Sequence, residues 1–485
     1  MVAPIVKQSW TVAGVLLNML GQGVVLSFPS CLLPALKSPD SPIQADLHTA
    51  SWLASSVGLA SMVGFLISSF LMEWLGRRIS HGLVIIPGTL GWVLIYFAQD
   101  IPLLMAGRVL GGITAGATVT LGAVVIGEFT SPEHRGMFLN LKTAAVCLGN
   151  TFTHALGSHF HWRTVAIFAL IPHILAFIIV CTWPESPSWL ASKKHYDKSK
   201  DAFFWLRGRN EKSQREFAEL IRVQKEHTNE DSSCTIRVKN FFKKFTRRDF
   251  LKPLLIILFG SILLEACGRH IFPAYAPQII SEITGNNTQS FYYTLALDLI
   301  ITASATFSSA LVKLMKRRTL LFSTGLASLL VLSGICSYLF MVSKEFISKE
   351  RSWIPLFLLV VYFVLANLGC TPIPYALLGE VFPLAHRGVG SAVSGVTLSL
   401  ALMLALKVTP YLLVSTGVHG CFTVFGTVMA LALLAMYFIL PETKDRTLQE
   451  IENYFNFGKY SDDDEEVKMK MLDLGNNRTD NLKGV

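Results

Sequence analysis

Long apolar runs, each separated from the next by a polar stretch, recur along nearly the whole chain. A helix needs roughly 20 mainly apolar residues to cross a hydrocarbon core about 30 Å thick. The pattern therefore predicts twelve membrane-spanning helices in two groups of six. The first group is predicted at residues 10–33, 51–72, 82–98, 102–125, 138–158 and 164–182. The second group is predicted at residues 253–280, 290–312, 319–342, 353–378, 389–415 and 419–440.

Composition agrees with a chain that is solvated by lipid. Hydrophobic residues make up 52%, charged residues only 15%, and the mean hydropathy is +0.48. The first run is too long for a signal-peptide core and lacks a small-residue cleavage site, so we expect it to remain as the first span. The eight cysteines show neither metal-ligand nor disulfide spacing, and we expect them to be packing residues. The fold class is thus an all-α polytopic membrane protein.

Positive charge lies in alternate loops, and this placement predicts the orientation. The net charge is +9, and basic residues follow the second, fourth, sixth, eighth and tenth spans. By the positive-inside rule these loops and both termini are cytoplasmic, so the charge indicates topology rather than nucleic-acid binding. The loop after the seventh span carries the sequon Asn286-Asn287-Thr288, which the rule places outside. Asn286 is therefore a predicted glycosylation site.

Four regions follow from these patterns. We predict an N-terminal six-helix half at 1–182, a cytoplasmic linker with short helices at 183–252, a C-terminal half at 253–440 and a cytoplasmic tail at 441–485. The polar regions contain no nucleophile elbow, phosphate loop, metal spacing or paired catalytic carboxylates. We therefore expect neither enzymatic activity nor a cofactor or metal site.

The two halves also repeat each other. Gly76-Arg77-Arg78 after the second span corresponds to Lys316-Arg317-Arg318 after the eighth, and Glu128 with Arg135 corresponds to Glu380 with Arg387. Further motifs stand in order along the chain: Gly107-Arg108, Gly127-Glu128-Phe129-Thr130-Ser131-Pro132, Pro184-Glu185-Ser186-Pro187-Ser188-Trp189-Leu190, Pro372-Ile373-Pro374-Tyr375, Gly379-Glu380-Val381-Phe382-Pro383 and Pro441-Glu442-Thr443-Lys444. Together they closely resemble the sugar porter family of the major facilitator superfamily.

This resemblance implies two parallel six-helix pseudo-repeats around a central cavity, and alternating access to a sugar or related small polar solute at the cell membrane. Lys407 and Gly417-Val418-His419-Gly420 are similar to the insect facilitated trehalose transporters. The first span lacks the carboxylate that proton-coupled members share. Facilitated diffusion is therefore expected, and proton coupling stays open if Glu265 takes that role.

The resemblance also implies a cytoplasmic latch in which acids and bases at helix ends pair when the cavity faces outward. The same charges are also expected if they only anchor helix ends and topology. Lys313 stands where the family usually has an acid, and a base there is expected to repel Arg317 and weaken the second latch. The gating candidates are Glu73, Arg77, Arg78, Arg108, Glu128, Arg135, Arg317, Arg318, Glu380 and Arg387.

The expected sugar-binding amides of the seventh span are largely missing, because Leu264 to His270 read Leu-Glu-Ala-Cys-Gly-Arg-His and keep only the family's glycine. Glu265 lies roughly 18 Å along this span, near the membrane midplane, with Arg269 four residues later. That spacing predicts a pair on one helix face, serving either substrate or structure. The substrate-binding candidates are Thr143, Glu265, Arg269, His270, Asn367, Thr371 and Tyr375.

Asp298 and Lys407 lie nearer the outer ends of their predicted spans, and we expect them to be satisfied or snorkelling rather than to bind substrate. His154 is expected to be a core or pore histidine rather than a metal ligand. Two alternatives to sugar transport remain. One is a nutrient sensor that keeps the fold without transporting, since the amides are lost. The other is a carrier of a charged metabolite that uses Glu265 and Arg269 as ligands.

Overall fold

The computed structural model describes residues 3–228, 248–285, 287–347, 352–381, 387–444, 451 and 454–455. These residues form helices, and no strand occurs among them. The helices up to the linker are α1 Pro4–Ser27, α2 Pro29–Lys37, α3 Leu47–Leu75, α4 Arg77–Phe97, α5 Ile101–Phe129, α6 Pro132–His159 and α7 Trp162–Cys181. The linker contains α8 Pro187–Ser192, α9 Tyr196–Arg207 and α10 Glu211–Thr228. The second half contains α11 Arg248–Ala266, α12 Ile271–Thr284, α13 Asn287–Leu314, α14 Arg317–Ser343, α15 Trp353–Leu368, α16 Pro372–Glu380 and α17 Arg387–Ile439.

The described helices make twelve crossings. Ten segments are long and apolar enough to span a membrane. One of them covers most of α17, which turns at Gly417 with a φ of 67° and therefore supplies two crossings. The remaining crossing is α6, whose hydropathy is lowered by polar residues such as Lys142 and Asn150. The twelve predicted spans are therefore confirmed, although the eleventh and twelfth meet at a single residue.

Three crossings are broken into two helices each. The first is divided into α1 and α2 at Phe28, directly before Pro29, although Phe28 keeps helical backbone angles. The seventh breaks over residues 267–270, where Gly268 has a φ of 83°. The tenth breaks at 369–371, just before Pro372 and Pro374. Proline removes a backbone donor, and a left-handed residue ends the helical path, so each break has a local cause. The backbone polar groups freed at these breaks require partners inside the protein.

Small residues allow the helices within a half to pack closely. A Cβ atom on Gly149 of α6 would lie 2.1 Å from the carbonyl oxygen of Leu20 on α1. A Cβ atom on Gly64 of α3 would lie 2.1 Å from the carbonyl oxygen of Ile113 on α5. Helix association in lipid depends on such close packing, because water expulsion no longer drives it. The two halves meet mainly where α3 packs against α17 and where α6 packs against α13.

The molecule has two distinct faces. We call the face that carries α8, α9 and α10 the linker face and the other the opposite face. The turn at Gly76, with a φ of 88°, joins α3 to α4 on the linker face. The other end of the molecule carries the turn at Gly417. Because α6 begins at Pro132 on the linker face, His154 lies toward the opposite face.

Candidate functional site

A small cavity lies between the two halves, at the level of the helix breaks. Its space for water molecules is about 20 Å³, enough for about one water. The N-terminal half contributes Cys147 and Asn150 of α6. The other lining residues are Cys267, Gly268, Arg269, Phe272, Pro273, Asp298, Ile301, Phe363, Ala366, Asn367 and Thr371. Because both halves line it, movement of one half against the other changes its size.

The break in the seventh span places charged and polar groups at this cavity. Gly268 takes a left-handed conformation, which turns Arg269 out of the path of α11. The ring of Phe272, just beyond the break, packs against the ring of Phe363 at a centroid distance of 4.5 Å. Together with Thr371 in the break of the tenth span, these residues put polar and aromatic surfaces side by side.

The predicted pairing of Glu265 with Arg269 is wrong. The prediction assumed a continuous helix, but α11 ends at Ala266, so the two residues do not share a helix face. Glu265 Oε1 instead lies 2.8 Å from His270 Nδ1. Arg269 donates from Nη1 to Cys147 Sγ at 3.1 Å, and no carboxylate of the described chain lies within 4.0 Å of it. Arg269 is nevertheless only 8% exposed, and its Nε has no partner among the described residues.

The other substrate candidates lie at different distances from the cavity. Asn367 lines it; its Nδ2 donates to the Phe363 carbonyl at 2.8 Å, and its Oδ1 finds no partner within the described structure. Thr371 also lines it, with Oγ1 4.0 Å from Cys267 Sγ. Tyr375 interacts with Arg269 one layer behind the lining. Thr143 is half-buried on α6 and, like Glu265 and His270, is outside the lining.

Three polar residues that were not among the predicted substrate candidates lie between the two halves. Asn150 lines the cavity from the N-terminal half, and its Oδ1 is buried without a partner in the described chain. Asp298 lines it from α13, where Oδ2 lies 2.6 Å from His154 Nδ1. Lys407 Nζ lies 3.9 Å from the ring centre of Trp52, a cation–π contact between the halves. Ionisable residues within apolar spans were the available signal for Asp298, His154 and Lys407.

On the linker face, the first half forms a connected polar network. Arg77 Nη2 lies 2.7 Å from Glu128 Oε1, and its Nη1 donates to the carbonyl of Met72. Glu185 accepts from the backbone N–H groups of Arg77 at 2.6 Å and Arg78 at 3.1 Å. These are the first N–H groups of α4, which have no partner within the helix itself. Glu185 therefore caps α4 from the segment that follows the sixth span.

The second half repeats this cap. Glu442 accepts from the backbone N–H groups of Arg317 at 2.9 Å and Arg318 at 3.1 Å, at the beginning of α14. Arg318 also donates to the carbonyls of Leu440 and Tyr437. Sequence comparison of the halves aligned the arginines but assigned no role to Glu185 or Glu442. Their motifs, each directly after the last span of its half, were the signal that could have identified them.

The remaining gating candidates are dispersed. Arg108 is buried toward the opposite face and donates to the carbonyls of Leu53 at 3.0 Å and Val25 at 2.6 Å. Glu73 is exposed, and Arg135 is half-buried near Arg207. Burial and that second guanidinium lower the pKa of Arg135. The following side chains lie outside the described structure: Lys313, Glu380, Arg387 and Asn286.

Insect proteins described as facilitated trehalose transporters are similar to this chain in sequence. The facilitated trehalose transporter Tret1 of Bombyx mori is 26% identical over 419 residues, which cover 86% of this chain and 81% of that protein. The Tret1-2 homolog of Drosophila sechellia is 27% identical over 405 residues, with 83% and 81% covered. Both are similar along most of their length.

Solved structures of the E. coli xylose transporter XylE have the same fold. The inward-open form gives a TM-score of 0.74 at 18% identity, covering 92% of this chain and 99% of that one. The proton:xylose symporter XylE bound to 6-bromo-6-deoxy-D-glucose gives 0.73 at 17% identity, covering 93% and 100%. A family model described as "Sugar (and other) transporter" matches residues 25–455. With its twelve helices, two repeated halves and cavity between them, the chain belongs to this family and is a membrane transporter.

Proposed function

We propose that this protein carries a sugar, or a closely related small polar solute, across the cell membrane by facilitated alternating access. The observation that carries the proposal is the polar cavity between the halves, lined by Asn150 from one half and by Asn367 and Thr371 from the other. Amides and hydroxyls both donate and accept, as sugar hydroxyls require. The trehalose transporters named above support the substrate class.

Binding requires the halves to move apart. The cavity holds about one water, whereas small-molecule pockets span roughly 300–1,000 Å³. Separation of α6 from the broken seventh and tenth spans enlarges it and exposes the free oxygens of Asn150 and Asn367. Phe272 and Phe363 then supply aromatic faces for the C–H surface of a sugar ring. The proposed site is completed by four groups outside the cavity lining: Tyr375, Thr143, Glu265 and His270.

A second candidate substrate class is a sugar that carries a carboxylate. Glu265 and Asp298 each have an imidazole within 2.8 Å, but Arg269 has no carboxylate within 4.0 Å in the described chain. A buried guanidinium without a counter-charge is costly in a membrane interior. A carboxylate on the substrate can pair with Arg269 in bidentate fashion. Arg269 is thus the group that distinguishes a neutral sugar from an acidic one.

We further propose that the linker face is cytoplasmic, so that both termini are cytoplasmic and Asn286 is glycosylated outside. Arg77, Arg78, Arg317 and Arg318 all lie on that face, as the positive-inside rule requires. The proposed domain boundaries stay at 1–182, 183–252, 253–440 and 441–485. Loss of the glycan in an Asn286→Gln variant, judged by electrophoretic mobility, tests the orientation independently of transport.

On the linker face, we propose that the two capped networks act as gate elements that change when the cavity opens inward. The Arg77–Glu128 pair and its cap by Glu185 keep the ends of α4 and α5 together. In the second half, Glu442 joins the beginning of α14, at Arg317 and Arg318, to the segment that follows α17. We propose that Glu73, Arg135, Glu380 and Arg387 are also gate residues on this face. Arg108, on the opposite face, holds α1, α3 and α5 together instead.

The test is uptake into oocytes that express the protein at their surface. Labelled trehalose, glucose and glucuronate are compared for the wild type, Asn367→Ala and Arg269→Gln, with Arg209→Gln on the exposed linker as the matched control. Saturable sugar uptake that falls at least tenfold in Asn367→Ala supports the proposal. If only glucuronate is taken up, and Arg269→Gln abolishes that uptake, the substrate is a sugar that carries a carboxylate and not a neutral sugar. No uptake of any of the three despite surface expression refutes the proposed function.

A further inference from the structure

His154 and Asp298 form an ionic contact that joins the two halves. His154 lies on α6 and Asp298 on α13, and their side chains are 1% and 4% exposed. His154 Nδ1 lies 2.6 Å from Asp298 Oδ2, and His154 Nε2 lies 2.8 Å from the carbonyl oxygen of Pro273, at the beginning of α12. Two helices of the C-terminal half therefore meet one imidazole of the N-terminal half.

These distances determine how many protons the pair holds. A carbonyl oxygen is only an acceptor, so His154 Nε2 must donate to Pro273. The bond at Nδ1 then needs a second proton, carried either by the imidazole or by the carboxyl group of Asp298. In both arrangements the pair is neutral overall. It thus holds one proton more than a neutral histidine and an ionised aspartate.

The pair also lies between two cavities. Asp298 lines the central cavity described above. His154 lines a second cavity toward the opposite face, with space for water of about 410 Å³, together with Cys31, Ser158 and Thr294. Thr294 lies one helical turn from Asp298 on α13 and is fully buried. The contact between His154 and Asp298 therefore separates the central cavity from the opposite face, and opening in that direction must break it.

Other ionisable groups of the described chain lie on the helices that surround this contact. His154 shares its cavity with Cys31 on α2, His159 on α6 and Tyr292 on α13. The neighbouring helices α5 and α7 carry Arg108 and His173. Arg108 is engaged by the carbonyls of Val25 and Leu53, and His173 by that of Ala169. Asp298 shares the central cavity with Arg269. The seventh and tenth spans also carry Glu265, His270, Tyr275, Tyr362 and Tyr375. Among the described residues, Asp298 is the charged partner within 4.0 Å of His154.

We propose that His154 and Asp298 are a proton-binding gate: closure of the opposite face takes up one proton, and opening releases it. The proposal rests on the alternating access proposed above. An imidazole in water titrates near pH ~6.5. Above that pH the open state has lost the proton that the closed state keeps. The ratio of closed to open should then fall about tenfold per pH unit above ~6.5 and be nearly constant below it.

Cysteine accessibility measures this equilibrium without any substrate. In a Cys31→Ser background, Thr294→Cys should react with a membrane-impermeant thiol reagent only when the opposite face opens, because Thr294 is buried in the closed state. Ser158→Cys lines the same cavity but is exposed, so it serves as the matched control for the pH dependence of thiol chemistry. The measured quantity is the ratio of the two labelling rates on intact cells between pH 5.5 and 8.5.

We expect this ratio to rise about tenfold per pH unit above ~6.5 and to become flat in His154→Gln/Asp298→Asn, which keeps an amide pair but binds no proton. His159→Gln, on the same helix and cavity, should keep the full slope. A flat wild-type ratio, an unchanged slope in the double variant or a lost slope in His159→Gln would each overturn the proposal. Sugar uptake with a flat ratio refutes the gate alone, whereas a pH-dependent ratio without sugar uptake refutes the substrate proposal alone.

Discussion

Removal of the Glu185 carboxylate should destabilise the N-terminal half by a predictable amount. The carboxylate accepts from the N–H groups of Arg77 and Arg78 at the beginning of α4. Loss of a capping side chain costs about 0.5–2 kcal/mol, and loss of a negative charge at a helix N-terminus costs about 0.3–1 kcal/mol more. Glu185→Ala should therefore cost about 2 kcal/mol. At about 2–4 °C per kcal/mol for a unit of this size, the melting temperature should fall by about 4–8 °C.

The assay is thermal unfolding of the purified protein in detergent, followed by a thiol-reactive dye or by loss of the monodisperse peak. Glu185→Gln keeps an acceptor but loses the charge, so it should lower the melting temperature by about half as much. Glu442→Ala removes the matching cap of α14 and should behave alike, and the two losses should add because the caps share no residue. Asp201→Ala, on the exposed face of α9, is the control. A change below 1 °C in Glu185→Ala would refute the capping argument.

Further predictions concern packing, charge and pH. Gly149→Val should lower the free energy of unfolding and reduce the yield of monodisperse protein in size-exclusion chromatography, because its Cβ would meet the Leu20 carbonyl at 2.1 Å. Gly127→Ala, whose Cβ meets nothing within 4 Å, should match the wild type in the same chromatography. Lys407→Met keeps the length of the side chain but removes the cation–π contact with Trp52, and should speed labelling of Thr294→Cys about threefold or more. The Lys212 ammonium lowers the pKa of Glu133, so the contact between α10 and α6 is present at neutral pH and is lost as the pH falls through that lowered pKa. Lys212→Ala should raise the pKa of Glu133, measured by NMR, without lowering the melting temperature, because the pair is exposed.

Much of the fold follows from the long apolar runs alone, because the only chains that span a bilayer are apolar helices and closed barrels. The break before Pro372 was also predictable from proline chemistry. The break at Gly268 was harder, since glycine within a span is common and only the left-handed φ of 83° reveals the turn. That one turn reversed the prediction for Glu265 and Arg269, which have helical spacing but lie on different segments.

The candidate site was only partly predictable for a related reason. Asn367 and Thr371 stand just before the tenth-span motif, were predicted as substrate candidates, and both line the cavity. The pairing of His154 with Asp298 joins residues 144 positions apart, on helices from different halves. Sequence spacing carries no information on such a contact, and a buried ionisable residue signals only that some partner exists. The caps by Glu185 and Glu442 are long-range contacts of the same kind.

The two caps also bear on the order in which the protein is assembled during synthesis. Glu185 lies 108 residues after the first helix residue that it caps, and Glu442 lies 125 residues after its own. At about 5–20 residues per second, the ribosome needs about 5–20 s to supply Glu185 after Arg77 has been made. During that interval the beginning of α4 must rely on water or on the translocation machinery for its hydrogen bonds. Each half is therefore completed only by the short segment that is translated directly after its last span.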